Sequence, residues 1–547
     1  MLNIVGVSSA TRTPNIYMQL VLAAGQASSA SAVDKVVVIG HSTNTTNFPA
    51  GVLYGPDTLN GGQTVQWAQS TFGVNSELTK FISKFFAVNK QNPLYVIPVL
   101  DSGTQSAYKL NFSGTVTYTN TLNIWVNNVF IQVPVYFGDS LSDSTLSTRI
   151  ANAINGAKAE FTCVAASGSF TIIAGSPGAR NALSIQYYLS TPDSGISFST
   201  TSAGYGSYSG STYTTLLLPT STIATTGLAG GIDSAIAALG TNQLYHKVLI
   251  PGLDESATSG WTTIAPFISS LTAQQTPTVG NRTVGYTSSR IPSTGGVPGL
   301  VNQTSYTNNF AVMTNNTYGT KSATMNNARF EIAWASMSDC TAAEILADYV
   351  APIALFSQNI DQPYALNMCN FGADSTTSGY WALPAPRSRY TETATVIENA
   401  LEAGLSVIGY NNGGSYIVRR STSQCVDASG NPDQRIADPH KILVMDHFAT
   451  DLTIQLRQLM AGKVLIDAPI DSNDPISANS IAITYIKTAA FALIDNYAQR
   501  SLIQNPTSSK KAALFVRSTS RGDTVAIQIP LQIIEIAAEA WVELDQV

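Results

Sequence analysis

The chain has 547 residues, 44% of them hydrophobic and only 11% charged, with a formal net charge of -6. Such a length exceeds a single hydrophobic core, so roughly three to five domains are expected. The acidic balance, with no basic run or basic patch interleaved with aromatics, excludes an electrostatic nucleic-acid binder, and no apolar run approaches the ~20 residues of a membrane-spanning helix.

The charged share is less than half of the usual ~25%. Ser, Thr, Asn and Gln must carry much of the surface polarity, and a surface poor in Lys and Glu is cheap to cover with protein. Secreted β-rich proteins share that composition. No basic segment followed by an apolar one opens the chain, so a soluble product of a cytoplasm is expected. The four cysteines, Cys163, Cys340, Cys369 and Cys425, are far apart and read as reduced core thiols.

Residues 1–32 read as an arm. Asn15–Leu22 has strand composition, and the Gly/Ala/Ser run Gly25–Ala32 reads as flexible linker. Lys35–Gly40 is a continuous apolar run, as in a fully buried strand. A Gly/Pro/Asn loop precedes a helix at Ser76–Asn89, whose Leu78, Phe81, Ile82, Phe85 and Phe86 share a face, with Asn75 as its expected cap. Leu94–Leu100 is a second buried strand. Between Ser102 and Ala203 the pattern turns to β. Strand-like runs fall at Tyr108–Tyr118, Thr121–Val126, Val129–Phe137, Phe161–Ala166, Ser169–Ala174 and Ala182–Leu189, with a turn at Asn127-Asn128 and one helix at Ser144–Asn155.

Helix and strand then alternate, the pattern of an α/β layer. Ile232–Leu239, Trp261–Ala273 and Thr341–Gln358 read as helices; Lys247–Pro251, Thr283–Tyr286 and Phe310–Thr314 read as strands. Further on, helix Thr393–Ala403 ends at Gly404, and Ser406–Tyr410 with Ser415–Arg420 make a hairpin. Asp438-Pro439 caps a helix whose Ile442, Met445, Phe448, Leu452, Leu456 and Leu459 share a face. A second helix is expected at Ser480–Leu502.

Thr524–Ile533 alternates cleanly, with Val525, Ile527, Ile529, Leu531 and Ile533 pointing one way, and Ala512–Arg517 is its expected partner. After an Ala/Glu-rich spacer comes a last strand-like piece, Ala540–Leu544, with no partner nearby in sequence. It either folds back on its own domain or adds to the sheet of another subunit.

No catalytic constellation emerges, and no cofactor or metal set is expected. His41, His246, His440 and His447 form no ligand-type pair and read as surface histidines. Glycine spacings at Gly204, Gly206 and Gly462 complete neither a dinucleotide nor a phosphate loop. Asp57, Asp101, Asp254 and Glu255 lie at strand or loop ends, where α/β enzymes place acids, but nothing in the sequence brings them together.

In order along the chain, several short motifs resemble those of contractile tail sheath proteins of the Mu-like bacteriophage family. They are Thr13–Tyr17; Val36–Gly40; Phe72–Leu78 through Phe85–Asn89 to Tyr95–Val99; Gly138–Ser140, Ile154-Asn155 and Gly178–Asn181; Leu401–Gly404 with Gly413-Gly414 and Ile417–Arg420; Ala526–Pro530; and Trp541–Leu544. Asn75 stands where the family's helix motif has its second glycine, and 190–230 and 287–328 match less well.

The resemblance implies a non-enzymatic virion protein of α/β and α+β multidomain class. Its parts would be an N-terminal arm and linker (1–32), an α/β core (33–101 with 214–370), an inserted β-rich surface domain (102–213), a C-terminal α+β domain (371–534) and a C-terminal arm (535–547). It implies hexameric rings stacked helically on a tail tube, with tube, baseplate and tail terminator proteins as partners, and assembly in the host bacterial cytoplasm. The inter-subunit arm residues would be Ile16, Tyr17, Leu20, Trp541, Val542 and Leu544, and the acceptor sheet would present Leu514, Val516, Val525, Ile527 and Ile529. Another β-rich virion surface or adhesion protein is the alternative, and an α/β enzyme a more distant one.

Overall fold

The computed structural model describes residues 34–44, 51–55, 64–99, 105–140, 144–177, 183–200, 207–208, 235–239, 246–252, 260–274, 282–290, 327–356, 392–423, 438–466, 479–517 and 524–534, apart from 75, 128, 158–159, 184, 237, 337 and 412–413. The class is mixed α/β and α+β over several sheets.

The first unit is a parallel sheet with helices on both faces. β1 (Val36–His41) lies between β2 (Leu94–Val99) and β11 (Lys247–Leu249). Beyond β11 come β12 (Val284–Ser289), β13 (Phe330–Trp334) and β14 (Ser406–Asn411), all parallel, and then antiparallel β15 (Gly414–Arg419). Among the described residues the first strand thus lies in the sheet's interior and later ones add outward both ways, so each face needs its own helices. On one face lie α1 (Val65–Phe72), α2 (Glu77–Val88) and α5 (Ala342–Phe356); on the other lie α4 (Gly260–Gln274) and α6 (Ala394–Glu402).

Three details differ from the sequence expectation. The cap of α2 is Ser76, whose side chain accepts from Thr79 N–H, where Asn75 was expected. Helix α1, capped by Thr64, lies in a stretch read as loop. The β14–β15 hairpin, which the sequence division set with residues 371–534, is hydrogen-bonded onto the parallel sheet through Ala333↔Ser406 and Trp334↔Val407. Gly404, which ends α6, has φ of 82°, and a Cβ there would meet the Thr422 carbonyl at 2.6 Å, so glycine is required at the turn into β14.

The described residues between 105 and 208 form a two-layer β unit. β3 (Gln105–Gly114), β6 (Phe161–Ala166), β7 (Ser169–Pro177), β9 (Ile196–Thr200) and β10 (Ser207–Tyr208) make one sheet in the order β10-β9-β3-β7-β6. β4 (Asn120–Val126), β5 (Val129–Val135) and β8 (Ile185–Leu189) make the other. Alternation sends Leu122, Ile124, Ile131 and Val133 into the shared core, where α3 (Ser144–Ala157) adds Leu146, Ile150 and Ile154. Asn127, at φ 51°, supplies the left-handed turn between β4 and β5.

The C-terminal core is built on α7 (Pro439–Met460) and α8 (Ile483–Gln499). The apolar stripe of α7 is buried from Ile442 to Leu456, and Phe448 meets Tyr497 of α8 edge to face at 5.3 Å. Short elements surround them: parallel β16 (Val464–Ile466) and β17 (Ser480–Ala482), then β18 (Ile503–Gln504), α9 (Pro506–Ala512), β19 (Leu514–Arg517), β20 (Val525–Gln528) and β21 (Gln532–Ile533). The long strand expected over Thr524–Ile533 is two strands. β20 pairs with β19, and β21 pairs with β18. Pro530, which has no N–H to give a ladder, lies between them, and Leu531 turns inward to 1% exposure.

Candidate assembly surface

The β19–β20 hairpin sits on the flank of α8. Its register pairs Leu514 with Gln528, Phe515 with Ile527, Val516 with Ala526 and Arg517 with Val525. Directly opposed residues share a face. One face therefore carries Phe515, Val525 and Ile527, and these pack on the C-terminal core, with the Phe515 ring 6.0 Å from that of Phe491 on α8. The opposite face carries Leu514, Val516, Ala526 and Gln528, with Leu514 50% and Val516 46% exposed. Ile529, beyond β20, also joins the core side.

The five residues expected to form one acceptor surface are thus divided. Val525, Ile527 and Ile529 anchor the hairpin, while Leu514 and Val516 face away from the core. Among the described residues neither strand of this two-stranded sheet pairs with a third. Two further contacts hold the hairpin and the helix before it. Arg517 donates through Nη2 to the Leu465 carbonyl at 3.2 Å, and Lys510 on α9 is ion-paired with Asp495 on α8. The expected arm residues Ile16, Tyr17, Leu20, Trp541, Val542 and Leu544 lie outside the described residues.

Elsewhere, buried charges tie the C-terminal core to the parallel sheet. Asp446 of α7 receives both terminal nitrogens of Arg329, at the start of β13, and lies 3.7 Å from Nε of Arg282, just before β12. Arg282 also donates to Thr450, one turn along α7. A second group, Arg420–Glu331–Tyr349, joins the end of β15 to β13 and α5. Arg420 Nη2 donates to Glu331 at 2.8 and 3.0 Å, and Tyr349 donates to Glu331 at 2.9 Å. Glu331 is 1% exposed, so these donors take the place of the water its carboxyl group gives up.

The histidines are not surface residues. His41, His440 and His447 are 3%, 6% and 9% exposed, and only a quarter of the His246 side chain is open. His246 accepts the Lys35 N–H through Nδ1 at 3.0 Å. Burial holds its pKa below the ordinary value, despite Asp34 3.9 Å away. His440, at the start of α7, is likewise lowered by burial, with Asp438 opposing. Cys163 and Cys340 are buried, and burial pushes the Cys163 thiol up to about 12. Asp57, Asp101, Asp254 and Glu255 lie outside the described residues, as do Cys369 and Cys425. Among the described residues no group of three or more His, Cys, Asp or Glu is placed to hold a metal ion, and no helix is long and apolar enough to cross a membrane.

No protein-family profile matches the chain, and no curated protein matches it. Among solved structures, a sheath tail protein from Desulfitobacterium hafniense is similar over 95% of this chain and 100% of its own, at 11% identity and a TM-score of 0.40. A likeness of that strength carries no argument about function.

Proposed function

We propose that the chain is a structural subunit of a contractile bacteriophage tail sheath, in which hexameric rings stack helically around a tail tube and shorten to drive it through the host envelope. What supports the reading is the ordered set of Mu-like sheath motifs, the charge-poor composition, and above all the β19–β20 hairpin. It is anchored on one face and turns Leu514 and Val516 outward on the other, with no third strand on it among the described residues. A terminal arm of a neighbouring subunit is the strand that the reading adds there. Copies linked head to tail in this way make heterologous contacts, which close into rings or continue as helices.

Magnitudes decide what such a link needs. A five-residue arm gains a few hydrogen bonds at a net ~1 kcal/mol each, while ordering it costs ~1–2 kcal/mol per residue. Backbone pairing alone roughly cancels. Burying Trp541, Val542 and Leu544, at ~1.5–3 kcal/mol apiece, tips the balance. A single link is weak, and many per ring make a polymer that resists dissociation.

The test is truncation. Deleting Ala537–Val547 leaves a folded chain that sediments as a monomer under conditions where the full chain forms large particles. Assembly by the truncated chain would remove the C-terminal arm from the account.

A further inference from the structure

The α8 flank that carries the β19–β20 hairpin presents ammonium groups as well as apolar surface. Lys487 Nζ lies 5.4 Å and Lys510 Nζ 5.9 Å from the centroid of Phe491, the ring that meets Phe515 of β19. Lys487, Phe491 and Asp495 recur at every fourth residue and so share one stripe of α8. The two ends of that stripe differ. Asp495 is ion-paired with Lys510 of α9. Lys487 is exposed and meets no acid among the described residues, and the same holds for Lys511, exposed on α9. The β19 side of the hairpin is therefore flanked by positive charge with no internal match.

The two terminal segments outside the described residues differ in charge. Residues 1–33 hold a single charged side chain, Arg12. Residues 535–547 hold Glu535, Glu539, Glu543 and Asp545 and no Lys or Arg, in a chain only 11% charged. Two-residue alternation along Ala540–Asp545 sets Trp541, Glu543 and Asp545 on one face and Ala540, Val542 and Leu544 on the other.

We propose that the strand added beside β19 is the C-terminal segment, residues 535–547, of another copy, and that its carboxylates facing Lys487 and Lys511 select it over the N-terminal segment and make assembly sensitive to ionic strength. This rests on the assembly reading above and names which terminus serves it. The two faces of the segment match what they meet. The Trp541 and Glu543 face suits a floor of one aromatic ring with an ammonium group over it, since the indole packs on Phe491 and the carboxylate pairs with Lys487. The other face sets Val542 and Leu544 beside Leu514 and Val516, so that the four apolar side chains cover one another. The N-terminal segment has no carboxylate to offer, and Arg12 is repelled by the same lysines. Pairs between exposed charges are weak and screened by salt, so they set the choice of segment and the salt response, while apolar burial supplies most of the hold.

Fluorescein-labelled peptides of residues 535–547 and 11–23, titrated into the purified full chain with anisotropy as the readout, test this alongside sedimentation of the full chain. Peptide 535–547 should bind and peptide 11–23 should not, and raising NaCl from 50 to 500 mM should weaken the first roughly three- to tenfold. Lys487→Glu should weaken it by a further factor of about ten at low salt, and a peptide carrying Glu543→Lys should recover the loss on that variant. Equal binding of the two peptides, or binding of 535–547 that ignores salt, overturns the assignment even where the full chain assembles. Failure of the reversed pair to recover binding overturns the meeting of Lys487 with Glu543. A full chain that stays monomeric while the peptide binds with this salt response contradicts the sheath reading and supports the docking.

Discussion

Protonating His246 removes the acceptor on which the Lys35 N–H rests, and that single hydrogen bond, 3.0 Å long, stands at the head of the parallel sheet. Burial keeps the imidazole neutral more strongly in the folded chain than in the unfolded one. The unfolded chain thus binds the proton more readily, so stability rises with pH through this window and is lost as pH falls below about 6.5. His440 contributes with the same sign. The melting temperature of the wild type should fall between pH 7.5 and 5.5, and His246→Gln should fall less steeply over the same interval. Parallel pH profiles for the two proteins would show that the His246 contact contributes nothing. Reading the histidines as surface residues failed for a definite reason: it rested on the absence of ligand-type spacing, and only the fold brings Lys35 to His246 across 211 positions.

Elements that carry their own periodicity were legible. The α2 face, the α7 stripe and the β4–β5 turn all lie where local pattern places them, because each is specified by residues within a few positions of one another. Strand β13 was not legible. Its sequence FEIAW puts Glu331 inside a buried run, and the compensating Arg420 lies 89 residues further on. The β19–β20 hairpin was half legible. Alternation along Thr524–Ile533 set Val525, Ile527 and Ile529 together, but the cross-hairpin register that turns Leu514 and Val516 the other way depends on the turn geometry. That outward face makes a specific prediction. Val516→Asp touches no core residue, so monomer stability should stay within ~0.5 kcal/mol of wild type, while polymer yield collapses. Normal polymers from this variant would place the acceptor face elsewhere.

Across the molecule, the C-terminal core is tied to the parallel sheet through Asp446, flanked by Arg329 and Arg282. Removing the carboxylate takes the bidentate partner from buried Arg329, while Arg282 keeps Thr450; a broken buried pair costs about 3–5 kcal/mol. Asp446→Ala should lower unfolding free energy by that order in denaturant titration, and a change under ~1 kcal/mol would mean that water replaces the carboxylate at little cost. Under the proposed assembly, such a tie would suit a subunit that moves as one body within a polymer. The most direct measurement is negative-stain electron microscopy of the purified full-length chain at high concentration. The account predicts stacked rings or tubes built of this chain alone; a uniform field of compact, unassociated particles under every condition would contradict it.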